Sequence, residues 1–302
     1  MPRVSIGLPV YNGEDYLEQA IESILAQEFR DLELIISDNA STDRTESLCR
    51  RFAERDSRVR YHRYAENEGA ARNYNRVFEL ARGEYFKWAA HDDVCLPEFI
   101  ARCVEVLDSA SESVVLAYPG SRFIDESGAV LHDDTDDMRV LGKSASGRLR
   151  RVLATVNMAG PVFGLIRSDA LRKTRLIDAF IGSDYVLIAE LAVLGEFHQL
   201  PDPLFLRRIH PRSSLLANTS DEQVLHWFDP HKRHRRRLSV QQRLMLEYTR
   251  SARRLVDSLP SRLMCFAVIP TTMSIRRVRV VGGRWKRELG RKLRTSDLAA
   301  SR

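Results

Sequence analysis

The chain has no long hydrophobic run. Its best apolar stretch, LMCFAVI at 263–269, stops at Pro270, far short of the roughly 20 residues that cross a bilayer. A membrane-spanning helix is therefore not expected, and any contact with a membrane is expected to be peripheral. The amino terminus, MPRVSIGLPVYNG, lacks the apolar core of a secretory signal. Cysteine is scarce: Cys49, Cys95, Cys103 and Cys265 stand apart, with no CxxC or metal-ligand spacing, which disfavours a disulfide framework or a zinc site. A reducing cytoplasm is the expected compartment. Phosphate-binding glycine loops are missing too. No GxGxxG follows the first strand-like run and no GxxxxGK[ST] occurs, which disfavours a dinucleotide-binding oxidoreductase and a P-loop nucleotidase. There is no internal repeat and no long low-complexity linker.

What is present is enough to bury a sizeable core. The 302 residues are 44% apolar and 29% charged, in the range of one large domain, or one domain with an appendage. The net charge of +6 conceals an asymmetry. Residues 231–302 hold 20 Lys/Arg against 4 Asp/Glu, whereas residues 1–230 hold 27 against 37. An acidic body thus carries a basic tail, and such a tail suits nucleic acid, an anionic membrane surface or simply a solvated helical face.

Short apolar runs alternate with helical periodicity through the first hundred residues. VSIGLPV (4–10), LELIIS (32–37), VRYHRY (59–64) and EYFKWAA (84–90) read as strands. Between them, Leu17, Ala20, Ile21, Ile24 and Leu25 recur at helical spacing, STDRTESLCRRFAE opens with Ser41 or Thr42 as a helix cap, and GAARNYNRVFELA forms a third helix. Further on come a helix at 97–108, a strand at 113–120, a hairpin around DESGAVLH, helices near 144–156 and 183–195, and a strand at 203–210. This alternation predicts a mainly parallel α/β sheet with ligands at the carboxyl ends of its strands. Four loops should then share one rim, carrying Tyr11 and Asn12, Asp38, Asn67, and His91–Asp93.

Adjacent Asp92 and Asp93 can ligate a hard divalent cation and offset a bound diphosphate, though HDD taken alone more often marks a solvated acidic turn. Asp38, one strand away, could accept hydrogen bonds from a ribose hydroxyl or a base N–H. These segments, VSIGLPVYNGEDYLEQAIESILAQEFRDLELIISDNASTDRT, NEGAARNYN and HDD, resemble the nucleotide-binding half of family 2 glycosyltransferases of the GT-A fold. GSDYVLIAELAVLGEFHQLPDPLFLRRIHPRSS resembles that family's acceptor-side helix and closing strand, so the likeness covers roughly residues 3–215.

The resemblance implies a domain at 1–220, with a nucleotide-binding half at 1–95 and an acceptor half at 96–220, followed by a basic helical extension at 221–302. It implies that Pro9 and Tyr11 hold the base and that Asp38 binds base or ribose. Asn67 and Gly69 would shape the loop, Arg72 would face the nucleotide, and Asp92 would lie near the ribose or metal. Asp93 would be the principal ligand of Mg2+ or Mn2+, His210 a further ligand approaching the diphosphate, and Asp184 the catalytic base. Gly160 and Gly164 would allow close approach on the acceptor side, and of Arg207 and Arg208 one would reach a phosphate and the other solvent. Simpler roles are compatible with several of these: Tyr11 as a packing residue, Asn67 and Gly69 as turn formers, Asp184 as an N-cap, His210 as a loop histidine. The chain departs from the family where many members carry D-A-D-D, because Ala90 replaces the first acid.

The implied reaction is inverting transfer from a UDP-, GDP- or dTDP-sugar to a hydroxyl of a glycan or lipid-linked acceptor, in cell-envelope polysaccharide or glycolipid synthesis. A sugar nucleotidyltransferase and a non-catalytic nucleotide-sugar or nucleic-acid binder are the competing classes. The expected partners are the donor, the acceptor, an anionic membrane surface met by the basic tail, and a second copy of the chain; nucleic acid is not expected. The place of work is the cytoplasm, peripheral to the inner face of the cell membrane.

Overall fold

In the computed structural model, which describes residues 1–274 apart from 135–137, 143, 157–158, 214–216, 219 and 232–237, the alternation becomes a seven-stranded sheet. The strands are β1 (Val4–Val10), β2 (Leu32–Asp38), β3 (Val59–Arg63), β4 (Tyr85–Trp88), β6 (Val114–Tyr118), β9 (Leu165–Arg167) and β10 (Glu196–Gln199). Their order is β10-β6-β9-β4-β1-β2-β3. All pairs are parallel except those made by β9, which runs antiparallel to β4 and β6. A second sheet, β5-β11-β7-β8, combines β5 (Val94–Cys95), β7 (Ser121–Ile124), β8 (Val130–Asp133) and β11 (Phe205–Arg208).

Every residue of β1 and β2 is buried, as in a parallel sheet covered on both faces. Alternate side chains serve two cores. Ile6, Leu8, Leu34 and Ile36 pack with α1 (Leu17–Leu25), α2 (Thr45–Arg55) and α4 (Phe99–Ser109). Phe86, Trp88 and Leu116 face α3 (Ala70–Glu79), α5 (Ala145–Thr155) and α7 (Ser183–Leu194). A short α6 (Ser168–Arg172) follows β9.

The expected helix cap at Ser41 or Thr42 is not used. Helix α2 begins at Thr45, because Ser41 and Thr42 are drawn into a bridge between loops. Ser41 Oγ accepts from Asn12 N–H (2.9 Å), and Asn12 Oδ1 accepts from Thr42 N–H (2.9 Å). Gly164 also has a different role from the one expected. A Cβ there would stand 2.7 Å from Leu116 and 2.8 Å from Tyr118, so the close approach it permits is to β6. The hairpin forms as read, with β7 antiparallel to β8 around Asp125 and Gly128.

The carboxyl-terminal helices are α8 (Asp221–Phe228), α9 (Val240–Leu255) and α10 (259–274). Helix α9 is tied to α7 by a buried ionic cluster. Arg175 reaches Glu190 of α7 (2.9 Å) and Glu247 of α9 (2.6 Å), while Ser251 Oγ donates to Glu190 (2.7 Å). Glu190 and Glu247 are fully buried, so each carboxylate depends on these partners. Within α10, Cys265 and Ile269 join the same core as α5 and α7. Segment 275–294, including Trp285, lies outside the described residues.

Candidate active site

The carboxyl ends of the central strands open into a cleft of about 570 Å³, within the usual size of a small-molecule site. All four expected loops contribute: Tyr11 and Asn12 after β1, joined by Pro9 near its end, Asn39 after β2, Asn67 after β3, and Ala90–Asp93 after β4. Tyr11 is 44% exposed at the mouth, an aromatic face left open. Asn67 Oδ1 accepts from Asn39 Nδ2 (2.8 Å) and from Gly69 N–H (2.9 Å), so one side chain sets the loop before α3.

Asp38 sits beneath this wall, not on it. It is fully buried, with Oδ1 accepting from Ser41 N–H (2.8 Å) and Oδ2 from the Tyr61 hydroxyl (2.7 Å). Arg72 is not brought to the cleft. Its exposed guanidinium pairs with Glu79 (2.9 Å) on the surface of α3.

At the floor, Asp92 Oδ2 lies 2.9 Å from His210 Nε2, and Asp93 Oδ1 accepts from the backbone N–H of Arg208 (2.8 Å). His210 is buried, its ring 4.8 Å from that of Tyr16. Arg208 is held on every side: it donates to the carbonyls of Asp92 (3.0 Å), Asp125 (2.8 Å) and Glu126 (3.0 Å) and to Gln19 Oε1 (2.6 Å), and it stacks 4.6 Å above Tyr16. Arg207 lines the cleft beside Phe123 and 3.8 Å from Asp134. Neither arginine points to solvent: Arg208 is buried by the contacts just described, and Arg207 is largely covered beside Phe123 and Asp134.

Burial, reinforced by the neighbouring Asp92 charge, pushes the Asp93 carboxyl up to about 7. A divalent cation relieves that kind of repulsion. Among the described residues no three His, Cys, Asp or Glu side chains are grouped to hold a metal by themselves. Ions of the Mg2+ type, however, take one or two protein carboxylates and complete their shell with water and substrate phosphates. Asp92 and Asp93 fit a cation shared with a diphosphate, and His210 stands as the hydrogen-bond partner of Asp92.

Asp184 lies in the first turn of α7, after Gly182 at φ 85°, which takes the N-cap position the sequence allowed for Asp184 itself. Burial raises the Asp184 pKa, against the pull of the backbone N–H groups of its own residue and Tyr185. Asp184 is not among the residues lining the cleft, whereas Tyr74 is. Its hydroxyl is raised above its usual range by burial and then by the charges of Asp92, Asp93 and Asp184 together.

Residues 5–175 match the family model described as glycosyl transferase family 2, more than half of the chain. The chain belongs to that family. An uncharacterized glycosyltransferase of Rickettsia typhi is 34% identical over 138 residues, covering 46% of this chain and 42% of that protein, so the chain spans about two fifths of that relative's length. A Campylobacter jejuni protein named GalNAc(5)-diNAcBac-PP-undecaprenol beta-1,3-glucosyltransferase is 26% identical over 200 residues, 63% of this chain and 60% of that protein. Among solved structures, fragment 1–349 of S. aureus TarS in complex with UDP superimposes with a TM-score of 0.57 at 14% identity, covering 92% of this chain and 91% of that one. The mannosyltransferase PcManGT of Pyrobaculum calidifontis, in complex with GDP-Man and Mn2+, gives 0.56 at 18% identity, over 94% and 75%. These likenesses establish the GT-A fold for this family 2 member.

One wall was not foreseen. Gln223, His226 and Trp227 of α8, with Pro230, line the cleft although the sequence places them in the extension. His231 Nε2 lies 3.0 Å from the Asn67 carbonyl, and the backbone of Phe228 to Pro230 closes over Gly69. The available signal was Gly69 itself, whose φ of 83° and lack of a side chain admit a crossing segment. Tyr16, Asn73 and Tyr74 were missed as well, since as aromatic and amide residues in amphipathic helical segments they read as packing.

Proposed function

We propose that this family 2 member transfers a sugar, with inversion, from a nucleoside diphosphate sugar to a hydroxyl of a glycan or lipid-linked acceptor. The observation that carries the reading is that Asp92 and Asp93 line one cleft with Tyr74, whose hydroxyl also feels the charge of Asp184 at the start of α7. Two carboxylates suit the diphosphate end, and a third, separate one suits proton removal. The C. jejuni GalNAc(5)-diNAcBac-PP-undecaprenol beta-1,3-glucosyltransferase, TarS in complex with UDP and PcManGT in complex with GDP-Man support the donor and acceptor classes.

In this reading the base lies against Pro9 and the open face of Tyr11, next to the Asn39–Asn67 pair. Asp38 acts from beneath by fixing the loop through Ser41 and Tyr61. Mg2+ or Mn2+ held by Asp92 and Asp93 would supply charge compensation for the departing diphosphate. Arg207 faces the same space as a fixed cation. Asp184 takes the proton of the acceptor hydroxyl as its oxygen attacks the anomeric carbon. Its raised pKa makes it a better base than an ordinary aspartate. Arg72, paired with Glu79 outside the cleft, has no part in the binding we propose.

The test is a panel of UDP-, GDP- and dTDP-sugars, read as nucleoside diphosphate release with and without EDTA. One donor class should release its diphosphate and chelation should suppress it. Pyrophosphate-dependent consumption of the sugar nucleotide would mark a nucleotidyltransferase, and binding without release a non-catalytic protein.

A further inference from the structure

Helices α9 and α10 turn an apolar face outward. In α10 the inward residues Cys265, Ile269 and Thr272 are buried. Pro260, Leu263, Met264, Ala267, Pro270 and Thr271 follow helical spacing on the outer side. Leu259, Leu263 and Met264 are 62%, 56% and 57% exposed. Within 259–274 the one charged residue is Arg262, and its guanidinium is folded back onto the carbonyls of Val256 and Asp257. Helix α9 exposes Met245 and Leu246 alongside Arg250 and Arg253. Among the described residues no helix is long and apolar enough to cross a membrane, so this face is a surface and not a span. An uncharged outer face with protruding leucine and methionine marks an interaction site.

The flanking charge indicates what covers it. Five Lys/Arg lie within 232–237, just before α9, and ten Lys/Arg against two Asp/Glu lie within 275–302, just after α10. We propose that α9 and α10 rest on an anionic lipid leaflet, with Leu259, Leu263 and Met264 at the acyl boundary and the exposed Arg250 and Arg253 of α9 toward the lipid phosphates. Nucleic acid would satisfy the arginines but leave the leucine and methionine side chains facing water. A face-to-face pair of chains about α10 would set like basic flanks against each other. The placement also suits a lipid-borne substrate: Leu244 of α9 abuts Gly182, the residue that opens α7 two positions before Asp184.

The experiment is flotation of the full chain with phosphatidylcholine vesicles and with mixed phosphatidylcholine–phosphatidylglycerol vesicles. It is run beside the double variant Leu263→Glu, Met264→Glu, whose folding is checked by circular dichroism and whose mass is checked by sedimentation velocity. No donor or acceptor is present, so the result is independent of the transfer reaction. The full chain should float with the anionic vesicles only and come off with salt. The double variant should partition roughly tenfold less or lower, since two apolar side chains no longer enter the interface. Equal flotation of the double variant, flotation with neutral vesicles to the same degree, or no flotation of the full chain overturns the proposal. A dimer of the full chain that the double variant dissolves assigns the face to a second copy instead.

Discussion

In the proposed reaction Asp184 and Asp93 put one residue type to two uses through its surroundings. Both are desolvated, but Asp93 also faces Asp92, whereas the Asp184 shift has burial as its main cause. A base must be ionised to accept a proton, and the raised Asp184 pKa means ionisation is completed above the ordinary carboxylate range, near 3.9 for aspartate. At saturating donor, log kcat should therefore rise with pH at unit slope through that raised value and level off above it. A profile that levels off already at the ordinary aspartate value, near 3.9, would contradict a buried base. The same scale explains Arg208. Read as one of two arginines competing for a phosphate, it instead spends its donors on three carbonyls and Gln19, and so fixes the strand beside Asp92 and Asp93.

Among elements, the strands and helices of the first hundred residues were legible because each buries one periodic face against the sheet. The pieces that were not legible are short or depend on distant partners. β5 has two residues and β9 three, too few for a period to show, and β9 is a strand only because β4 and β6 flank it. Helix α8 falls within the extension read as helical, and Ser220 and Gln223 form its capping box, but its place as a wall of the cleft was not legible. Gly69 carries that contact: a Cβ would lie 2.4 Å from the Phe228 carbonyl and 2.7 Å from Pro230, in an extended positive-φ conformation that already costs about 1–3 kcal/mol for any other residue. Gly69→Ala should displace α8 from α3, lower the melting temperature and weaken donor affinity, measured by calorimetry, more than it lowers kcat. Unchanged affinity and melting temperature would remove α8 from the donor site.

In the molecule as a whole, the sheet gathers four loops on one rim, and this much was readable from the alternation of strands and helices. With Ala90 where many family members carry an acid, this loop brings two carboxylates, Asp92 and Asp93, to the cleft, and His210 is bonded to Asp92. What the alternation could not convey is that the chain returns after β11 to roof the rim with α8. Nor could it convey that α9 is locked to α7 through Arg175, Glu190 and Glu247, which couples the apolar outer helices to the helix bearing Asp184. The central claim is transfer with Asp184 as the base. Nucleoside diphosphate release and donor affinity, measured side by side for the native chain and Asp184→Asn, test it most directly. Release should fall at least about a hundredfold while the donor Kd stays within about twofold; turnover by Asp184→Asn at the native rate would contradict it.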